Sequence, residues 1–270
     1  MKLTVTHTLL FSVGTPARAV QHVLLSASNT AQQRVERWSI DMPGLAEGAS
    51  FRDGFGNHAH LVSQVRPEGE IAVTVSGAVE TIDKAGVLGR VHFEPPAALF
   101  VRPTGLTQPD ADLLDGLTAE DGRIAFYHAL MGRVHERAAS GTLAPTLAAE
   151  QSQEQSEDGQ SQMQSLDEPA EVTASACTHA FIGAARALDM PARYVTGYLY
   201  GDDGSAATHA WAEAWDDRLG WIGFDPLLNL CPTIHHIRLA SGLDALATRG
   251  IRSVPEFLAP PVETVTIEAG

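Results

Sequence analysis

Apolar and polar positions alternate from the first residues of the chain. KLTVTHTLLF places Leu3, Val5, His7 and Leu9 on one side and Thr4, Thr6 and Thr8 on the other, the period of a half-buried strand. Further strand-like runs are AVQHVLLSAS (19–28), QRVERWSIDM (33–42), GNHAHLVSQV (56–65) and EIAVTVSGAVE (70–80). The last two flank the turn-forming RPEGE and are expected to pair as a hairpin. Regular short strands of this kind predict a sandwich-like β domain over 1–85. Residues 86–115, with several Pro and Gly, read as a crossing linker into a second unit over 116–270.

In that second unit the period changes. Ile124, Tyr127, Leu130, Met131 and Val134 form an apolar stripe at helical spacing within 119–139. Residues 150–168 are a Gln- and Ser-rich low-complexity insertion. CTHAFIGAARAL (177–188) is Ala-rich and Pro-free, with Cys177, Phe181, Ala184 and Leu188 on one face, and reads as a helix. Thr173 or Ser175 could cap it, and Asp189-Met190-Pro191 ends it. ARYVTGYLYG (192–201) reads as a strand, and THAWAEAW (208–215) as another, with His209, Trp211, Glu213 and Trp215 facing one way and Ala210, Ala212 and Ala214 the other. GWIGFDP (220–226) is its returning partner, and VETVTIE (262–268) a terminal strand. No internal repeat is visible.

Three residues within these elements carry chemistry. Cys177, His209 and Asp225 supply, in that order, a thiol, an imidazole and a carboxylate. These are the parts of an activated cysteine nucleophile, in which the imidazole takes the thiol proton and the carboxylate orients the imidazole. Cys177 is expected in the first helical turn, where the macrodipole and free N–H groups lower a thiol pKa toward neutrality and can receive an oxyanion. A hairpin turning around residue 217 would set His209 opposite Asp225, Trp211 opposite Gly223 and Glu213 opposite Trp221. Read singly, Cys177 is a small core hydrophobe, Asp225 a turn starter before Pro226, and His209 a structural histidine. Read together, they favour catalysis. Glu213 reads as a salt-bridge or solvated residue. Trp211 reads as packing, with lining a substrate cleft as its functional reading.

At these residues the chain resembles the transglutaminase-like superfamily, specifically bacterial transglutaminase-like proteins with an N-terminal β domain. The similarity runs from about Ala174 to Ile251 and takes in MPARYVTGYLYG, the HAW and GWIGFDP segments and HHIRLASGLDA (235–245). It implies an α+β fold: a papain-like transglutaminase core in which a helix carrying Cys packs on an antiparallel sheet carrying His and Asp, preceded by a β-sandwich-like domain. It also implies that Cys177 is the nucleophile, His209 the general base and acid, and Asp225 the residue that orients the imidazole. Ala176, Thr178, His179 and Leu227 depart from the residues usual in the family.

Composition narrows the partners. The 270 residues include 44% hydrophobic ones, enough for a sizeable core, and the net charge of −15 argues against nucleic acid and anionic membrane surfaces. Cys177 and Cys231 cannot form a disulfide framework, and a bond between them would consume the nucleophile, so a reducing, cytoplasmic setting is expected. The N-terminus does not read as a signal peptide, and no run is long enough to span a bilayer. The expected reaction is thiol-dependent acyl transfer on an amide or peptide bond through a thioester, hydrolysis being favoured over transamidation because it needs no second substrate site. The expected substrate is a protein or peptide, with an amine as co-substrate in the transfer variant, and no cofactor. Two alternatives stand beside it. One is an idle, protein-binding relative. The other is a metal-dependent hydrolase using His58, His60, His128, His135, His235 or His236, for which no HExxH or CxxC grouping is present.

Overall fold

The computed structural model describes residues 1–67, 69–91, 93–120, 122–143 and 173–270. The low-complexity segment 150–168 lies outside the described residues. The N-terminal alternation folds into strands β1 (Lys2–Phe11), β2 (Arg18–Val23), β3 (Gln33–Asp41), β4 (Ala49–Arg52), β5 (His58–Val65) and β6 (Ile71–Thr81). They are shared between two sheets whose apolar faces meet. Leu3, Val5, Leu9, Val73, Val75 and Val79 come from one sheet and Ala19, Val23 and Val62 from the other. Each buried aliphatic side chain of this kind stabilises by roughly 1.5–3 kcal/mol.

β5 and β6 do not form the expected hairpin. β6 pairs with β1 and β3, whereas β5 pairs with β2 and β4. Val62 of β5 and the valines of β6 both need burial, and placing the strands in opposite sheets lets them bury against each other.

The chain then enters β7 (Val87–Gly89) and the helices α1 (Ala111–Leu114), α2 (Arg123–Ala139) and α3 (Ala174–Ala187). Strands β8 (Ala192–Tyr200), β9 (Ala206–Asp216), β10 (Gly220–Phe224), β11 (His236–Gly242), β12 (Ile251–Val254) and β13 (Val262–Ala269) follow. Five strands form a third, antiparallel sheet in the order β11-β8-β9-β10-β7. β7, within the segment read as a linker, is therefore an edge strand of this sheet. β13 and β12 return to the first two sheets, beside β1 and β2, so residues 251–269 complete the N-terminal sandwich.

The alternation along β9 decides what each face of the third sheet holds. Ala210, Ala212 and Ala214 make a shallow surface onto which α3 settles with Phe181, Ile182, Ala184 and Ala185, backed by Phe126, Leu130 and Met131 of α2. Small side chains on the strand let the helix approach closely, which is why this stretch is so rich in alanine. Leu188 departs from the expected stripe. The helix ends at Ala187, Asp189 takes a positive φ of 54°, and Leu188 is left 42% exposed.

Among the described residues, no helix is long and apolar enough to cross a membrane. The fold is mixed, with mostly antiparallel sheets and few helices.

Candidate active site

Thr173 caps α3 by accepting the Ala176 N–H through Oγ1 (3.2 Å). Cys177 therefore falls just past the free end of the helix, and its own N–H is bonded to Thr173 O (3.2 Å). Its side chain is fully buried among Phe181, Ala210 and other core residues. Burial, followed by the negative charge of Asp225, pushes the thiol up to about 11. The expected lowering at a helix start is thus reversed: the backbone N–H of Cys177 still pulls the thiol down, but burial and the Asp225 charge outweigh it. Asp225 is nonetheless within electrostatic reach of Cys177.

β9 carries His209 and the end of β10 leads into Asp225. The hairpin register differs from the expected one by two residues: Trp215 faces Trp221 and Glu213 faces Gly223. Asp216 Oδ1 accepts the N–H groups of Arg218 and Leu219 (2.9 Å each), and Gly220 takes φ +79°, so the loop is Asp217-Arg218-Leu219. A shift of two keeps every side chain on its face. His209 and Asp225 are therefore diagonal rather than opposed, and His209 Nε2 donates to Asp225 Oδ2 across 2.6 Å. Both side chains are almost wholly buried.

Asp225 is the most heavily solvated group of the site, and the solvent is protein. Oδ1 accepts the N–H groups of Leu227 and Leu228 (3.1 Å each), and Oδ2 accepts His209 and a second histidine, His236, at 3.2 Å. Burial alone would raise this carboxyl, but the bonds and charges of the two imidazoles outweigh it and hold its pKa at about 2. Asp225 is a turn residue as well, since its N–H and C=O exchange bonds with Leu230. His135 of α2 donates from Nδ1 to the Leu227 carbonyl (2.9 Å), pinning the same turn.

His236 lies at the start of β11, and Thr233 donates its N–H to His236 Nδ1 (3.1 Å). The ring proton therefore sits on Nε2, where it is given to Asp225. Burial pushes His236 below the usual imidazole range, against the pull of Asp225. Trp211 packs edge-on against His236 (centroids 5.3 Å) and near-parallel to His209 (6.3 Å). At 2% exposure it is a wall behind the two histidines and offers almost no surface to a substrate, which corrects the cleft-lining reading.

The three rings meet because β8, which runs between β9 and β11, carries Gly197 opposite His209. A Cβ there would lie 2.6 Å from the Trp211 ring and collide with the Ile237 carbonyl. Gly197→Ala is expected to lower stability by about 1–3 kcal/mol and push Trp211 toward His209. Thermal unfolding followed by Trp fluorescence measures both, and an unchanged midpoint and spectrum would show that the rings have room.

Among the described residues, His209, Asp225 and His236 are one group of three side chains that could hold a metal, their ligand atoms lying within 4.8 Å of one another. The donor chemistry does not fit. A metal at His236 Nε2 needs the ring proton moved to Nδ1, where it would face the Thr233 N–H. The other histidines read as candidate ligands lie outside this group. His58 bonds Ser50 (2.7 Å), His60 packs on His58, His128 packs on Phe224, and His235 donates to the Tyr200 carbonyl (2.9 Å). His179 stacks on Tyr194, accepts the Ala245 N–H, and is pushed down to about 4 by burial.

The structure thus joins His209 to Asp225, adds His236, which the sequence reading had counted only as a metal candidate, and places Cys177 on the neighbouring helix. Among the described residues no hydrogen bond joins Cys177 Sγ to His209. Free catalytic sites often tighten such contacts only when substrate binds. A groove of about 810 Å³ lined by Arg52, His58, Arg90, Glu94 and Arg238 does not include the three residues. A smaller one of about 250 Å³ reaches Gly197 and Thr208, beside His209.

A helix-borne cysteine lies over an antiparallel sheet bearing a histidine and an aspartate. The chain belongs to the transglutaminase-like superfamily, its core matching over residues 148–226 and the bacterial transglutaminase-like N-terminal region over residues 3–80. That superfamily is one of thiol-based acyl transfer. The fold is shared with a candidate cysteine protease from Cytophaga hutchinsonii at a TM-score of 0.64 and 21% identity, covering 99% of this chain and 89% of that one. The periplasmic domain of TgpA from Pseudomonas aeruginosa aligns over 83% of this chain and 87% of that one, at 15% identity and a TM-score of 0.33, too distant to carry weight. No curated protein has a significantly matching sequence.

Proposed function

We propose that the protein hydrolyses an amide or peptide bond by thiol-dependent acyl transfer, with Cys177 as nucleophile, His209 as base and acid, and Asp225 as orienting carboxylate. The observation that carries this is the 2.6 Å bond from His209 Nε2 to Asp225, which makes Nδ1 the lone-pair nitrogen of the neutral ring. Cys177 Sγ attacks the carbonyl carbon while its proton passes to His209 Nδ1. The C–N bond breaks as His209 returns that proton to the leaving nitrogen, and a thioester remains. Water, deprotonated by His209, attacks the thioester; the C–S bond breaks, the carboxylic acid leaves and the thiol regains its proton. An amine in place of water gives transamidation.

A thiol held near pKa 11 supports proton transfer coupled to attack rather than a thiolate formed in advance. The free thiols Cys177 and Cys231 suit a reducing compartment, and cytoplasmic residence belongs to the same proposal. The competing reading is an idle binding module, which the complete burial of Cys177 favours.

Incubating the protein with glutaminyl and other peptide amides plus hydroxylamine separates the two. Trapped hydroxamate, lost in Cys177→Ala, is expected. Iodoacetamide labelling of Cys177, with Cys231 as internal control, should climb as the pH approaches 11. A labelling plateau near pH 6 would mean a resting ion pair instead. No turnover, together with a Cys177 no more reactive than Cys231 at any pH, leaves the binding module.

A further inference from the structure

We propose that His236 is a positioning residue of the catalytic site, holding Asp225 Oδ2 toward His209 from β11, two strands away on the same face of the sheet. The inference rests on the hydrolytic reading above but concerns a residue that the triad does not contain. Asp225 has two carboxylate oxygens and receives four donors. The two backbone N–H groups fix Oδ1 and so fix one end of the carboxylate. Rotation about the carboxylate axis and tilting of Oδ2 are then opposed by a pair of imidazoles, His209 from β9 and His236 from β11.

His209 must remain free to turn slightly as its proton load changes during a catalytic cycle. His236 is held from three sides: Thr233 N–H on Nδ1, Asp225 on Nε2, and the Trp211 edge on its ring. It is therefore the stationary donor of the pair. Its tautomer is fixed by a backbone N–H, which cannot reorient as a side chain can. The carboxylate consequently always meets an N–H at this position and keeps its charge available for the imidazolium that forms on His209.

The titratable groups around this centre are Cys177 on α3, His209 on β9, Asp225 after β10, and His235 beside His236. Losing the His236 donor removes one of the interactions that hold the Asp225 carboxyl down, so protonation of Asp225 moves to higher pH. The acid-side loss of turnover should move with it.

The test compares wild type with His236→Leu and His236→Gln, the latter keeping an N–H near the position of Nε2. Turnover of a glutaminyl peptide is measured across pH, and side-chain ¹⁵N–¹H spectra of the histidine rings report tautomers independently of activity. In His236→Leu, kcat should fall about 10- to 100-fold with KM little changed, the loss of one hydrogen bond to a charged group. The acid limb should shift upward. His236→Gln should recover most of both, and should also fold if the leucine variant does not. The inference is overturned if His236→Leu keeps the wild-type kcat and acid limb, if folded His236→Gln is as impaired as the leucine variant, or if the wild-type spectra place the His236 proton on Nδ1. A wild-type protein that shows Nε2–H on both rings but turns over no amide defeats the hydrolytic reading and leaves the geometry of the clamp standing.

Discussion

Asp225→Asn should reduce amide turnover by about 10⁴-fold. The size follows from where each carboxylate bond goes. Both oxygens of Asp225 accept two N–H groups, so each side of the carboxylate needs an acceptor. Asn has only one. If its NH₂ faces Leu227 and Leu228, two backbone donors lose their partner and meet a donor instead. If it faces the histidines, His209 must turn its lone pair to Nε2 and place its proton on Nδ1, the nitrogen that should receive the thiol proton. His236 cannot make the matching change, because Nδ1 already accepts the Thr233 N–H. Wrong-tautomer histidine in comparable triads costs about four decades of kcat, and an unsatisfied buried donor costs about 1–3 kcal/mol of stability. Steady-state kinetics and thermal unfolding of the purified variant read the two losses separately. A variant within tenfold of wild type would show that Asp225 is only a turn residue.

The largest loss of stability is expected from Glu213→Ala. Glu213 sits two positions beyond Trp211 on β9 and is fully buried. Arg193 Nε donates to its Oε2 at 2.5 Å, and Arg238 Nε donates to its Oε1 at 2.8 Å. Arg193 reaches on to Glu94 (2.8 Å) and lies over the Trp221 ring at 4.0 Å. Removing the central carboxylate leaves two buried guanidinium groups with Glu94 as their remaining carboxylate, a change worth about 3–5 kcal/mol. At about 2–4 °C per kcal/mol for a chain of this size, the midpoint should drop by roughly 6–20 °C. There is a pH signature too. Burial would raise the Glu213 carboxyl, but Arg193 and Arg238 prevail and hold it below its ordinary value. A depressed carboxyl stabilises above its unfolded pKa, near 4.3, and that contribution is lost as the pH falls. Glu213→Gln should therefore lose stability at neutral pH and show a shallower decline in acid. Equal midpoints for wild type and Glu213→Ala at pH 7 would show that the network is neutral to folding.

Much of this arrangement was legible in the sequence, because faces depend on parity alone. The alternation along THAWAEAW and GWIGFDP puts His209 and Asp225 on one side for any turn that moves the register by an even number of residues. Turn geometry was harder to read. Asp216 binding two N–H groups and Gly220 in the left-handed region add a residue that propensity does not count, and the register moved by two. His236 was invisible as a partner of Asp225. Its strand, β11, borders β8 rather than β10, and contact with Asp225 depends on the missing side chain of Gly197. The state of Cys177 was misread for a similar reason: a helix start says nothing about what the rest of the chain lays over it. The two segments after residue 250 were readable as extended, but not as belonging to the first sheets, since strand partners so far apart in sequence leave no local trace.

That return has a topological consequence. The chain leaves the sandwich after β6, builds the sheet that carries His209, and comes back to hydrogen-bond with β2 and β1. The sheet carrying His209 is thus a closed excursion, anchored at both ends in one body, rather than a module hung from a single linker. Cutting the chain within 86–115 would leave the two parts still laced together through β12 and β13. A fragment ending at residue 85, in contrast, would strip β1 and β2 of one neighbour each and present two raw β edges to any passing chain.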